Sequence, residues 1–236
     1  MRKILVIGWA VLGMSGNCWA GFYSFTDAAN QGIPDGGAAL PTLSRSITVS
    51  GVSGNVLSSI SVTLNVAGGF NGDLYGYLRG PTGGIAILLN RVGQSGSNPG
   101  GYGDTGFAIT LSDLAGNDVH AYQEHSPSYN GNGQLTGSWQ SDGRNTDPAT
   151  VSFGDSRTAR LNSFLGSDPN GTWTLVFSDW VTSGDPSSLA SWSLNLTVIP
   201  EPTNVALAVC AALAAVIKLL SWRRQSALVR NSRDGP

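Results

Sequence analysis

Lysine is missing from the whole middle of the chain. Only 12% of the 236 residues are charged, and between Gly21 and Ile199 six Arg and no Lys face thirteen Asp and Glu, a net charge of −7. Affinity for nucleic acid comes mainly from neutralising phosphates, so an acidic, Lys-free body excludes a nucleic-acid partner. Cysteine is nearly absent as well. Cys18 and Cys210 both lie in apolar terminal stretches, which excludes a disulfide framework, thiolate metal sites and a cysteine nucleophile in the body. The body also lacks a convincing amphipathic helical period. What remains is abundant glycine, 32 residues, and 41% hydrophobic content. That combination fits an all-β domain with long turns and argues against disorder.

Strand patterns fill the body. In Gly171–Val198, Trp173, Leu175 and Phe177 alternate with Thr172, Thr174 and Val176. Further on, Trp192, Leu194, Leu196 and Val198 alternate with Ser191, Ser193, Asn195 and Thr197. Period-2 alternation of this kind predicts strands that bury one face. The connection Ser178–Ala190 is too long and polar for a tight hairpin turn, so the two strands need not pair. Further strands are expected at Ser46–Ser50, Val56–Ala67, Asp73–Arg79, Ile85–Leu89, Phe107–Leu111, Leu135–Trp139 and Thr150–Phe153. Asp73–Arg79 and Ile85–Leu89 form a hairpin across Gly80-Pro81-Thr82-Gly83-Gly84. Short strands at such spacing predict a sandwich or barrel rather than βαβ units.

Both ends read as membrane-directed. Met1–Ala20 has Arg2 and Lys3, an apolar run from Ile4 to Met14, and Cys18-Trp19-Ala20 before Gly21. This is the pattern of a secretory signal peptide. Near the other end, Val205–Ile217 is uninterrupted apolar sequence and runs on through Lys218 to Trp222. Eighteen helical residues span about 27 Å, close to a bilayer core. Arg223 and Arg224 then place the tail in the cytoplasm and the body outside. The expected layout is a signal peptide at 1–20, a β-sandwich at 21–199, a sorting segment at 200–224 with its apolar transmembrane helix at 205–222, and a basic cytoplasmic tail at 225–236.

Several body motifs occur in a recognisable order. Ile33-Pro34-Asp35 comes first, then Asp73-Leu74 and Leu78-Arg79-Gly80-Pro81-Thr82-Gly83-Gly84, then Phe107–Asp113. Phe164-Leu165-Gly166, Asp168-Pro169-Asn170-Gly171-Thr172-Trp173-Thr174-Leu175, Asp179 and Leu189–Leu194 complete the set. Together they resemble the P domain (P/Homo B) of subtilisin-like proprotein convertases across Gly21–Val198. Gly84 stands where the family usually has Thr, and Phe70-Asn71-Gly72 stands where a His is common. The resemblance implies a jelly-roll-like β-sandwich that accompanies a subtilisin-like protease and is not itself the catalyst. Pro200-Glu201-Pro202, the apolar helix and Arg223-Arg224 resemble the PEP-CTERM sorting signal of Gram-negative bacteria. That implies processing by an exosortase-type membrane transpeptidase. The chain would cross the inner membrane, stay anchored until cut, and end in the envelope or outside the cell. Lys218 within the helix and twelve residues after Arg224 depart from that pattern.

Candidate chemistry is sparse. The 179 residues from Gly21 to Ile199 are taken up by the P-domain pattern, and a subtilisin domain does not fit. His120 and His125 read as solvated loop histidines, because the neighbouring side chains of His125 and Ser126 point apart on an extended chain. Asp73, Asp113, Asp179 and Asp185 flank strand ends and are candidate calcium ligands, since Ca²⁺ takes several oxygens from carboxylates and carbonyls. The alternative is that each bonds nearby backbone N–H groups. Tyr75, Tyr77, Trp139 and Trp180 are candidates for stacking on an extracellular polysaccharide, with Trp180 expected to be the most exposed. The leading expectation is a non-catalytic exported module with a structural or binding role. The alternatives are an accessory domain of a subtilisin-like serine endopeptidase and a carbohydrate-binding envelope protein.

Overall fold

The structure, a computed structural model, describes residues 20–36, 42–52, 55–182, 185–200 and 202–231, with the side chains of 55, 202–205 and 224–231 excepted. The expected signal peptide, apart from Ala20, and Glu201 lie outside the described residues. The chain forms two compact units, one of them Ala20–Ile199 and the other including everything from Pro200 onward.

The first unit is built from two β-sheets. In chain order its strands are β1 (Gly21–Asp27), β2 (Gln31–Gly32), β3 (Leu43–Val49), β4 (Asn55–Ala67), β5 (Leu74–Arg79), β6 (Ile85–Asn90), β7 (Phe107–Leu111), β8 (Leu135–Trp139), β9 (Gly171–Asp179) and β10 (Ser188–Pro200). One sheet runs β1-β10-β4-β7-β8, with the short β2 also on β10, and the other runs β3-β9-β5-β6. The β7–β8 pair is parallel, whereas β1–β10, β3–β9, β4–β7, β5–β6 and β5–β9 are antiparallel.

The alternation in the sequence decides which face each strand buries. Trp173, Leu175 and Phe177 from β9, Trp192, Leu194, Leu196 and Val198 from β10, and Ile60, Val62, Leu64 and Val66 from β4 all enter one hydrophobic core. The two sheets therefore share a single interior. Both anchoring tryptophans are fully buried, and each finds an acceptor for its ring N–H: Trp173 donates to the Pro169 carbonyl at 2.9 Å and Trp192 to Asp27 at 3.2 Å. An indole buried without such a partner would lose the hydrogen bond it makes in water. Leu74 and Leu78 point inward from β5 while Tyr75 and Tyr77 are half-buried on its other face, and β5 and β6 form the expected hairpin. Strands β9 and β10 lie in different sheets.

One strand goes beyond the expected set and one expected strand is absent. Gly21–Asp27 is a full strand, although its alternation is weak because Phe22 and Tyr23 are exposed. Residue-by-residue pairing with β10, from Gly21 opposite Val198 to Asp27 opposite Trp192, makes it one. Thr150–Phe153 is not a strand. It is a turn closed by the Ser152 amide on the Asp155 carboxylate, with Arg144 donating to the carbonyls of Ser152 and Phe153. Ile33-Pro34-Asp35 runs beside the end of β9, where Asp179 N–H donates to the Pro34 carbonyl and Gly36 N–H to the Asp179 carbonyl.

The long segment between β7 and β9 covers an edge. Strand β6 ends its sheet, yet five of its six residues are buried. Backbone bonds from Asp142 to Leu88, from Gly143 to Ile87 and from Ile87 to Ala159 occupy the groups that an open edge would expose. Gly76, opposite Phe177 in β9, leaves room for the Phe177 ring. A Cβ there would sit 2.2 Å from the Phe177 ring.

In the second unit, α1 (Pro202–Asn231) is longer than the expected helix. Proline is tolerated in the first turn because its missing N–H would have no helical partner there. Pro202 thus opens a helix and Pro200 closes β10. Ala206–Arg223 has a mean hydropathy of 1.7 over 18 residues, all of them exposed. Leu207, Leu219 and Leu213 point in directions about 120° apart around the axis, so the helix has no polar face to give to water. It is long and apolar enough to cross a membrane.

Candidate functional site

The register of β5 on β9 brings two acidic residues together. Leu74 pairs with Asp179, so Asp73, which ends a 3-10 turn at Asn71–Asp73, lies beside the end of β9. The backbone locks the junction: Trp180 N–H donates to the Asp73 carbonyl at 2.7 Å. Both carboxylates are buried, at 6% and 4% exposure for Asp73 and Asp179. Asp35 lies at the rim, bridged to Asp179 through the backbone and itself exposed.

The electrostatics of this junction are unfavourable as they stand. Burial, and then the nearby Asp179 charge, push the Asp73 carboxyl up to about 6, while Arg91 acts in the opposite sense. Burial also raises Asp179, against the Ser187 hydroxyl, which donates to it, and the Val181 N–H nearby. Ser187 Oγ donates to Asp179 Oδ2 at 3.0 Å, but Asp179 Oδ1 is buried without a hydrogen-bond partner. Arg91 gives its guanidinium to the carbonyls of Gly72, Pro148 and Pro99. Among the described residues it forms no ion pair with either carboxylate.

The four candidate calcium ligands do not converge. Asp113 is held elsewhere, accepting from Ser141 Oγ at 2.7 Å and the Asn162 N–H at 2.7 Å, with Arg160 Nε at 3.5 Å. It ties remote loops together, which is neither a cation site nor the local backbone bonding of the alternative. Asp185 is exposed. Only Asp73 and Asp179 meet, and among the described residues no group of three or more His, Cys, Asp or Glu side chains is arranged to hold a metal.

A second polar cluster went unread in the sequence. His120 is fully buried, not solvated. Its Nδ1 lies 2.8 Å from Asp142 Oδ2 and its Nε2 lies 3.1 Å from the Gln94 carbonyl. Asp142, also fully buried, accepts from the Asn90 and Arg144 amides and pairs with the Arg144 guanidinium at 3.2 Å. Arg144 also reaches Asp118 at 2.9 Å, and Arg157 lies 3.5 Å from Asp118. A histidine–aspartate pair suggests a catalytic base, but a base needs a free nitrogen facing a nucleophile. Here the second nitrogen faces a backbone carbonyl, so the pair is part of the scaffold. His125 is exposed, as expected.

The proposed aromatic surface is mostly covered. Trp139 is buried and donates to the Thr136 carbonyl, and Trp180, expected to be exposed, is only half so. Of the sorting residues, Pro200 and Pro202 are placed as described above, Arg223 is exposed, and Arg224 lies in α1.

Comparison with known proteins gives a partial match. No protein-family model matches the chain. A stretch of 75 residues is 40% identical to leupeptin-inactivating enzyme 1 of Streptomyces exfoliatus, covering 32% of this chain and 17% of that protein. Two structures of a serine protease of Aeromonas sobria, one of them in complex with a chaperone, align over 75% and 76% of this chain. Their identities are 17% and 18%, their TM-scores 0.38 and 0.37, and the alignment takes in 26% of each protease chain. The chain thus corresponds to a minor part of each of these proteins.

Proposed function

We propose that the body is a jelly-roll-like P domain that accompanies a protease, and that the chain performs no hydrolysis of its own. The observation that carries this reading is the 40% identity to an enzyme of which the shared stretch is only 17%. A segment that recurs as a small part of a larger enzyme behaves as a companion module. The ordered P-domain motifs from Ile33-Pro34-Asp35 to Leu189–Leu194 support the same reading and point to a subtilisin-like serine endopeptidase as the partner. The engaged nitrogens of His120 add to it.

The test is to retrieve the full-length chain in detergent from envelope material and treat it with a serine-reactive fluorophosphonate probe. A labelled subtilisin-like protease in the retrieved complex, with the chain itself unlabelled, is the expected result. Label on the chain would overturn the non-catalytic part, and no labelled protease in the complex would overturn the partnership.

A second, compatible reading concerns placement. The exposed apolar span Ala206–Arg223 favours an envelope anchor, with Pro200-Glu201-Pro202 as the peptide an exosortase-type transpeptidase processes. Intact mass measurement of the secreted and membrane-bound forms tests it. Loss of everything beyond about residue 202 in the secreted form supports processing, and an unprocessed chain confined to the membrane leaves anchoring alone.

A further inference from the structure

One end of the sandwich carries apolar side chains that the core does not use. Leu196 and Val198 of β10 point inward, so Thr197 and Ile199 take the outer face of the sheet. Phe22 pairs with Thr197 and shares that face, diagonally across from Ile199 and within reach of it. Phe22 is 69% exposed and Ile199 42%. On the other side of β10, Ser58 and Ser59 of β4 bond to Thr197. Beyond β4, the Leu57 backbone exchanges hydrogen bonds with Gly166 and Ser167. That places the exposed Leu165 at the same end. Leu114, 85% exposed, follows close by, because Asp113 and Leu165 both bond to the Asn162 backbone. Every exposed leucine or isoleucine among the described residues of the body therefore lies in this region. The opposite end of β10 is acidic: Ser187 donates to Asp179, Asp35 is bridged to Asp179, and Asp185 is exposed.

We propose that the Phe22–Ile199–Leu165 surface, with Leu114 at its margin, docks on the lipid bilayer. The proposal rests on the reading of α1 as an anchor and goes beyond it, since an anchored body need not touch lipid. The occupant follows from continuity. Only Glu201 separates Pro200, where β10 ends, from Pro202, where α1 begins, so lipid is the surface this end meets. Exposed apolar residues scattered singly need no explanation. These are gathered at the end that runs on into the apolar span. Charge agrees with that choice. A body of net charge −7 is repelled by anionic headgroups, so docking must come from apolar insertion. Interfacial elements insert in this way, about 5–10 Å into the headgroup and acyl boundary. The acidic end of β10 then lies away from the lipid.

The test uses the full-length chain with both cysteines replaced by alanine, carrying one new cysteine at a time: Phe22→Cys, Leu165→Cys, or Asp185→Cys as the control. Each is labelled with an environment-sensitive fluorophore and reconstituted in phosphatidylcholine–phosphatidylglycerol vesicles. Some of the phosphatidylcholine carries a spin label high on its acyl chain, which quenches fluorophores in the lipid whichever way the chain inserts. The expected result is quenching at positions 22 and 165 several-fold stronger than at 185, with blue-shifted emission at those two positions. Far-UV circular dichroism establishes that each variant is folded, and where one of the two is not, the other decides. A folded variant at 22 or 165 that is quenched no more than the control overturns the proposal. Blue-shifted emission without lipid quenching also overturns it, and assigns the surface to a second copy of the chain. Alkaline carbonate extraction separates the two readings. A chain released from the vesicles removes the anchor and the docking together, whereas a retained chain with unquenched labels removes the docking alone.

Discussion

The strands β9 and β10 and the irregular segment between β7 and β9 hold the same body together by opposite means. The two strands do it with apolar side chains on alternate positions, each led by a buried tryptophan. The irregular segment does it with charge: His120, Asp142, Arg144, Asp118 and Arg157 form a connected, largely buried network. The difference is one of geometry. A strand repeats every two residues, so one face can be made apolar throughout. A loop has no repeat, and its carbonyls and amides must be satisfied one at a time. Arg144 and Arg157 do this for the carbonyls of Ser152, Phe153, Asp142 and Ser141. The network ties together the segment that caps the β6 edge.

Substitutions can break each side of this comparison in turn. The largest loss is expected for Trp173→Ala, which empties the space of a fully buried ring packed edge-on against Phe164 at 5.0 Å. Truncations of this type cost about 3–5 kcal/mol, and chemical denaturation would measure it. Asp142→Asn should follow at about 2–3 kcal/mol, the scale of lost hydrogen bonds to a charged group. It should also loosen the β6 cover, so hydrogen exchange at Ile87 and Gly143 should rise while β9 stays protected. Uniform acceleration across both regions would show that the network and the strands are one cooperative unit.

Gly76→Ala tests the strand side without touching charge. The new methyl meets the Phe177 ring, and overpacking of a core costs about 1–3 kcal/mol. Phe177→Leu in the same chain should recover part of the loss, and a purely additive double mutant would argue against the clash. The smallest effect is expected at Asp27, where Arg45 donates to both carboxylate oxygens at 2.8 and 2.7 Å. Chiefly through those bonds, and with help from Trp192, its pKa is held below the ordinary aspartate range. A depressed carboxylate stabilises the fold above its unfolded pKa, and that contribution disappears as pH falls through the folded value. Asp27→Asn should therefore lower Tm slightly at pH 7 and flatten its decline in acid. An unchanged acid slope would mean that exposure of the pair has screened the effect away.

Much of the fold was legible because burial leaves a period. The inward faces of β4, β9 and β10 are the alternate residues of the sequence, and the β5–β6 hairpin falls on its Gly-Pro turn cluster. Where the period is absent, reading failed. Strand β1 exposes Phe22 and takes its identity from its partner. Thr150–Phe153 has β-type residues but no strand to pair with. The site was half legible: acidic residues at strand ends were the right type, yet of the four only Asp73 and Asp179 meet, because only β5 and β9 are neighbours at that end. His120 was misread because the partner that buries it, Asp142, lies 22 residues away.

The sequence by itself determined the acidic, cysteine-free β body, the inward faces of its main strands, and an apolar helix long enough to span a bilayer. Those properties are written in composition and in short repeats, which need no knowledge of distant residues. Only the tertiary structure decided that β9 and β10 belong to different sheets, that one histidine is locked in a buried ion network, and that Asp73 faces Asp179. Each of these depends on which remote segments become neighbours. That choice follows from the pairing of whole strands, and no single stretch of the chain carries it.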